Sequence, residues 1–271
     1  MGAAPQHITA ELRQSLSLGY ARLRQSLRAS VDGRLDESER LAAEAYEYTR
    51  TSGQPDARAF WVGQRFNIRF HQGRLGEVTE ELAAAADDYP GIVAFRAAVA
   101  MVTAELQQPD PARHALNAIF GPGGTGIPDD LNCLVSVAFA TQAAAQLNDA
   151  ELCDALYRKL IPYRDQFVDN ASTFWGSVEG YLALAASCTG RTDDARVSYQ
   201  RAVDSHTRLN APILLARTRV EWAEATVRAE LSSTSRSFAV GEFRAALGIA
   251  ERLELRTIAR RAREGLAELG C

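Results

Sequence analysis

Apolar residues recur every three or four positions along most of this chain, which is the spacing of one face of an α-helix. Long stretches lack β-branched residues, and alanine, leucine, glutamate and arginine dominate the sequence. The pattern predicts an all-α protein. The predicted helices lie near 8–30, 35–51, 56–72, 75–88, 91–106, 110–119, 129–146, 149–161, 171–189, 192–209, 212–231, 238–253 and 255–269.

Two polar, glycine- or serine-rich segments interrupt this pattern, GPGGTGIP at 121–128 and SSTSRS at 232–237. Both have the composition of loops. The helical pattern continues on either side of each loop, so they separate units rather than domains. We therefore expect one domain over residues 1–271.

A short sequence motif recurs between the helices and indicates an internal repeat. Its turn positions are about 34 to 42 residues apart, a period typical of helix-turn-helix repeats. These positions are Gly33, Gly73, Gln107, Asn148 and Gly190. The pattern predicts units near 8–51, 56–88, 91–119, 129–161, 171–209 and 212–253, followed by a capping helix at 255–269. Glycine and asparagine at the turns suit the left-handed backbone conformation that other residues avoid.

An acidic residue follows each turn and opens the next helix. A carboxylate in this position satisfies free backbone amides and interacts favourably with the positive end of the helix dipole. We expect this role for Asp36, Glu77, Asp110, Asp149 and Asp193.

Composition and charge narrow the function classes. The 271 residues are 46% hydrophobic and 24% charged with a net charge of −4, which gives no electrostatic reason to expect nucleic-acid binding. The four cysteines have no metal-ligand spacing, which favours a reducing compartment. Neither a signal peptide nor a membrane-spanning run is present in the sequence. We expect a soluble, cytoplasmic protein without membrane contact.

No motif predicts catalysis or a cofactor. GPGGTGIP lacks the lysine and the preceding strand of a phosphate-binding loop. The histidines His7, His71, His114 and His206 fall in different units without ligand spacing, so we expect no metal site. The arginines clustered at 252–263 are interleaved with glutamates, which is typical of a solvated helix face. The prediction is a non-enzyme with no cofactor.

The fifth unit, at 175–203, resembles the tetratricopeptide repeat family. Ala183, Ala195 and Ala202 are small where two helices must approach, and Tyr199 fills the gap between them, at that family's spacing. The other units match less closely. The resemblance implies a right-handed superhelical solenoid of antiparallel helix pairs whose concave groove binds a partner.

Residues 162–230 also resemble the C-terminal helical region of large actinobacterial regulators. Those proteins join an ATPase core, sometimes preceded by a cyclase domain, to such a solenoid, and many end in a LuxR-type DNA-binding domain. The solenoid is their sensor and interaction arm. The resemblance implies a protein- or effector-binding role in signalling or transcription regulation. Whether this chain is a part of such a regulator or a separate relative stays open.

Projecting the family's groove positions onto the chain predicts the binding residues. A peptide-carboxylate clamp needs clustered lysine, arginine and asparagine, and only Asn67 fits that description. The mixed apolar and amide lining suits a helix laid in the groove or a modest organic ligand. The predicted groove residues are Phe60, Asn67, Phe70, His71, Met101, Glu105, Gln142, Gln146, Ser177 and Leu184.

Three interpretations remain open at this point. A long open groove would favour a sensor that binds a protein segment or small-molecule effector. A closed cavity with converging polar groups would favour an enzyme or small-molecule-binding protein that uses the groove as a cavity. An apolar, uncapped terminal helix would favour an oligomerising scaffold. The aromatic residues, among them Trp61, Trp175 and Trp222, have core packing as their alternative role.

Overall fold

A computed structural model describes residues 3–229 and 232–271, with the backbone alone for residues 3–13. Thirteen α-helices and one short hairpin make up this described part of the chain. The helices are α1 Ala3–Val31, α2 Leu35–Thr51, α3 Ala57–Gln72, α4 Thr79–Asp88, α5 Val93–Glu105, α6 Pro109–Phe120, α7 Cys133–Gln146, α8 Ala150–Leu160, α9 Val178–Cys188, α10 Thr192–Arg208, α11 Pro212–Ala229, α12 Ser233–Arg252 and α13 Arg256–Glu268. The strands are β1 Phe167–Asp169 and β2 Phe174–Ser177, and 3-10 turns occupy Leu75–Glu77 and Ile161–Tyr163.

The predicted turn positions have the backbone conformation that the repeat requires. Gly33, Gly73 and Gly190 have φ angles of 86°, 72° and 74°, and Gln107 and Asn148 have 59° and 54°. A side-chain-bearing residue in this left-handed region is uncommon. The prediction is therefore confirmed even at Gln107, where the residue type alone would not have indicated it.

The predicted helix caps are confirmed at one position only. The Asp149 carboxylate accepts a hydrogen bond from the Leu152 backbone amide at 3.0 Å. Asp36, Asp110 and Asp193 lie in the first turns of their helices without such a bond. Their contribution is limited to the interaction with the helix dipole, which is worth about 0.3–1 kcal/mol at an exposed site.

Most successive helices pack on one another, and from α5 onward a second set of contacts joins alternate helices. Helix α5 packs on α7, α7 on α9, α9 on α11 and α11 on α13. The small residues predicted to separate two helices are buried, among them Ala183, Ala195 and Ala202 around Tyr199. The all-α prediction is confirmed by this packing.

The first and last parts of the chain touch. Helix α1 contacts α11, and α3 contacts α13. A Cβ added at Gly33 would lie 3.0 Å from a methyl carbon of Leu253. Helices from the early and late parts of the described chain therefore lie against one another.

A β-hairpin stands where residues 171–177 were predicted to begin a helix, and this prediction is wrong. Phe167 pairs with Ser177, and Asp169 with Phe174. The Asn170 side chain forms the turn by accepting hydrogen bonds from the backbone amides of Ser172 and Thr173 at 3.3 and 3.0 Å. Asparagine bonding its own downstream backbone, followed by threonine and aromatic residues, favours a turn and strand over a helix.

The predicted loop at 232–237 is also wrong, because α12 begins at Ser233. Ser232 caps this helix, and its hydroxyl accepts from the Ser235 amide at 3.1 Å. The reciprocal bond from the Ser232 amide to the Ser235 hydroxyl completes a capping box. Residues 230 and 231, which end the predicted helix 212–231, lie outside the described residues.

Candidate functional site

The predicted groove residues lie on α3, α5, α7 and α9 or at the start of α9, and most of them are packed against other side chains. Leu184 is buried on α9, and Phe60, Phe70, Glu105 and Gln146 are half-buried. The remaining five are no more than 5% exposed. These five are Asn67, His71, Met101, Gln142 and Ser177.

A buried arginine on α11 explains part of this packing. The Arg217 guanidinium donates to the Glu221 carboxylate at 2.9 Å and to the Gln142 side-chain oxygen. Its central carbon lies 5.3 Å from the ring centroid of Phe70 and 5.5 Å from that of Tyr181. Arg217 thus brings Gln142 and Phe70 together in the interior. Groove positions were not projected onto the sixth unit, so Arg217 was missed.

Burial and the charge of Arg217 together shift the pKa values of this region. Burial alone would lower the pKa of Arg217, but the adjacent Glu221 carboxylate raises it above the ordinary value. Burial, assisted by the Arg217 charge, lowers the pKa of His71 to about 3. The same two causes lower the pKa of His206 to about 3. Both histidines are therefore neutral at physiological pH.

The other predicted groove residues have structural partners. Asn67 accepts a hydrogen bond from the Ser30 hydroxyl at 2.9 Å and donates to the Phe174 carbonyl at 3.3 Å. The Gln146 amide donates to Glu105. Ser177 caps α9 rather than lying within a helix, and its backbone amide donates to His206 Nε2 at 3.0 Å. The Glu105–Gln146 contact lies where α5 and α7 end, whereas the Ser177 contact lies where α9 begins.

A cavity of about 290 Å³ lies at the opposite end of the same helices, where α3, α5 and α7 begin. Only Phe60 of the predicted groove residues lines it. The lining also includes residues from the hairpin. Its wall is formed by Asp56, Ala59, Phe60, Gly63, Phe66, Ile92, Ala94, Phe95, Ala98, Leu131, Asn132, Val135, Phe139, Asn170, Ser172, Thr173 and Trp175.

Aromatic rings form the floor of the cavity. The Trp175 ring centroid lies 5.0 Å from that of Phe66 and 4.6 Å from that of Phe139, the latter in an edge-to-face arrangement. The indole nitrogen of Trp175 donates to the Thr173 hydroxyl at 2.9 Å, which fixes the ring in place. A buried indole with a satisfied N–H presents a rigid apolar surface.

Small residues on the helices leave the space above this floor. Ala59 and Gly63 lie on α3, and Ala94 and Ala98 lie on α5. A Cβ added at Gly63 would have its nearest contact at 3.7 Å, an ordinary van der Waals distance. No close approach of two backbones therefore requires a glycine at position 63.

Polar groups cluster at one side of the cavity. The Asn170 amide donates to the Asn132 side-chain oxygen at 2.9 Å. Within the described part of the chain, the Asn132 side-chain amide has no hydrogen-bond acceptor of its own. It remains able to donate to a molecule in the cavity.

Large apolar side chains lie at the mouth of the cavity, beside the exposed Asp56. Leu131, which lines the cavity, is 68% exposed. The half-buried Phe60 ring contacts the exposed Tyr20 of α1 edge-on, with centroids 6.4 Å apart. Exposed large apolar side chains beside a cavity are typical of a ligand entrance.

Among residues 3–229 and 232–271, no group of three or more His, Cys, Asp or Glu side chains is placed to hold a metal ion. Over the same residues, no helix is both long and apolar enough to cross a bilayer. Comparison of the chain with known protein families, with curated proteins and with solved structures finds no match.

Proposed function

We propose that this protein is a helical-repeat module that binds a small organic effector in the cavity where α3, α5 and α7 begin. The cavity itself is the observation that carries the proposal. It combines an aromatic floor, a rigid indole and a few polar groups on one side, the composition typical of small-molecule sites. Its volume of about 290 Å³ is near the lower end of the usual range for such sites.

A small molecule is favoured over a protein segment because the predicted groove residues are already occupied by other side chains. Asn67, His71 and Gln142 have neighbours on other elements that occupy their polar or aromatic faces. A helix laid along these residues would have to displace those contacts. The cavity at the other end accepts a ligand without such displacement.

The biological setting rests on the resemblance to the solenoid arm of actinobacterial regulators. We extend the proposal to a right-handed, tetratricopeptide-like superhelix that acts as a cytoplasmic sensor in signalling or transcription regulation. Binding rather than catalysis is proposed for the cavity. Homo-oligomerisation through the terminal units stays a further prediction of the sequence.

A retention experiment tests the small-molecule proposal. The purified protein is incubated with a bacterial small-molecule extract, separated by gel filtration, and the retained molecules are identified by mass spectrometry. We expect the protein to retain at least one molecule. The Ala98→Leu variant should not retain it, because the longer side chain occupies the cavity.

The matched control is Ala84→Leu, the same substitution on the exposed face of α4. It should retain the same molecule as the unaltered protein. If the Ala98→Leu variant retains everything that the unaltered protein retains, the cavity is not the binding site and the proposal fails.

A further inference from the structure

The volume and lining of the cavity favour a compact ring system. An apolar protein cavity of about 150 Å³ is known to hold one benzene molecule. The cavity here has about 290 Å³, close to twice that volume. Phe66, Phe139 and Trp175 provide rigid ring faces and edges as its floor. Two fused aromatic rings match both the volume and the surface.

The charges around the cavity disfavour an anion. Within the described residues, no lysine, arginine or histidine side chain contributes to the lining. An anionic group placed among phenylalanine and alanine side chains would lose its hydration without a cationic partner. The helix N-termini at Asp56, Ile92 and Asn132 are exposed or half-buried, and each favours an anion only weakly. Burying an unpaired charge costs more than this, so a carboxylate or phosphate on the buried part of the ligand is disfavoured.

A cation is disfavoured by the helix ends. The N-cap positions of α3, α5 and α7 all line the cavity. They are Asp56, Ile92 and Asn132, respectively. The positive ends of three helix dipoles therefore face the cavity, and each disfavours positive charge. Asp56 alone opposes them, and it is exposed at the rim, where solvent screens its charge.

One polar contact remains available to orient the ligand. The Asn132 oxygen is occupied by Asn170, whereas the Asn132 amide hydrogens face no acceptor among the described residues. A hydrogen-bond acceptor on one edge of the ligand would satisfy this amide. An amide or ketone oxygen has this property without carrying charge.

From these observations we propose that the effector is an uncharged, fused two-ring aromatic molecule with a hydrogen-bond acceptor on one edge. The rings lie on the Phe66, Phe139 and Trp175 floor, and the acceptor faces the Asn132 amide. This inference rests on the proposed function, because it specifies the chemistry of the same cavity.

Three naphthalene probes that differ only in charge test the inference by isothermal titration calorimetry. The probes are naphthalene-2-carboxamide, naphthalene-2-carboxylate and naphthalen-2-ylmethylammonium. We expect the neutral carboxamide to bind at least tenfold more tightly than either ion. Equal or tighter binding of one of the ions, or no binding of the carboxamide, would overturn the inference.

Variants locate the bound probe. Asn132→Asp keeps the oxygen that accepts from Asn170 and removes the free amide donor, and it should weaken carboxamide binding at least threefold. Such a loss corresponds to one hydrogen bond of ordinary net strength. Ala98→Leu should abolish binding, and Ala84→Leu should leave it unchanged. Unchanged affinity in Asn132→Asp would contradict the proposed orientation.

The outcomes separate this inference from the proposed function. If a charged probe binds as tightly as the carboxamide or more tightly, and Ala98→Leu abolishes its binding, the cavity is a ligand site. Only the chemistry of the ligand was then inferred wrongly. If the extract experiment shows retention that depends on Ala98 while no naphthalene probe binds, the same conclusion holds. If neither experiment depends on Ala98, both proposals fail.

Discussion

The two ends of helices α3, α5 and α7 differ sharply although they belong to the same helices. At their C-terminal ends the interior is filled by His71, Glu105, Gln142 and Gln146, with Arg217 contributed by α11. At their N-terminal ends small residues and aromatic rings enclose an empty volume. One end is polar and occupied, and the other is largely apolar and open.

The size of the side chains accounts for this difference. Neighbouring helices lie about 8–10 Å apart, a spacing that depends on the residues at their contact. Long amides, a carboxylate and a guanidinium fill that space at one end. Ala59, Gly63, Ala94 and Ala98 leave it vacant at the other. The proposed ligand site therefore lies where side chains are short, whereas the polar side chains at the other end bond to one another.

The largest expected effect comes from removing the charge at the filled end. Arg217→Met leaves the Glu221 carboxylate buried without its cation and Gln142 without its donor. Breaking a buried ion pair in this way costs about 3–5 kcal/mol. We expect a loss of that size in the free energy of unfolding, measured by urea denaturation.

Two further variants serve as controls for Arg217. Arg228→Met, at the exposed end of the same helix, should change the free energy of unfolding by less than about 0.5 kcal/mol. The double variant Arg217→Met with Glu221→Leu should recover much of the loss, because no charge is left unpaired. If Arg217→Met alone is as stable as the unaltered protein, the buried ion pair does not hold this end together.

The same alanine-to-leucine change should have opposite effects at the two ends. Ala143 is fully buried on α7 beside Gln142, so a leucine there has no free volume and should cost about 1–3 kcal/mol. Ala98→Leu fills part of the cavity and should raise stability by about 1 kcal/mol. Urea midpoints of both variants measure the contrast. Equal destabilisation by both would mean that the cavity is already packed in solution.

A pH dependence of stability is expected from the two buried histidines. His71 and His206 have folded pKa values of about 3, below the ordinary value of 6.5. Between these values the unfolded chain binds more protons, so the free energy of unfolding falls as the pH drops. Each histidine should cost about 2 kcal/mol between pH 7 and pH 5, since one pKa unit is about 1.4 kcal/mol.

Replacing one histidine isolates its contribution to the pH dependence of stability. His206→Gln keeps a side-chain oxygen that can accept from the Ser177 amide and has no group that titrates. The loss of stability between pH 7 and pH 5 should shrink by about 2 kcal/mol in this variant. The exposed His114→Gln variant should follow the unaltered protein. Identical pH profiles for all three proteins would show that His206 is not held neutral by burial.

Helices and turns were predictable because they depend on short-range chemistry. The three- to four-residue apolar spacing placed the helices, and the left-handed turns followed from glycine or asparagine at a regular interval. Residues 171–177 were predicted to be helical because the apolar pattern of a helix follows them directly, so the hairpin was missed. The asparagine-centred turn at Asn170 was the available signal.

The cavity was not predictable from the same reasoning. Ala94, Ala98 and Phe139 have the spacing of ordinary core residues, and nothing local distinguishes a filled core from an empty one. The difference depends on which side chains meet across three helices and a hairpin. Trp175 shows this most clearly, because it is both a buried core residue and a part of the cavity floor.

The contacts of α1 with α11 and of α3 with α13 bear on how the protein folds. In an open array of repeats, each unit touches only its neighbours and segments can unfold separately. Here contacts between residues far apart in sequence tie the early helices to the late ones. Such contacts slow folding, because a long loop must close before they form. They also couple the terminal units, so we expect fraying at one end to weaken the other.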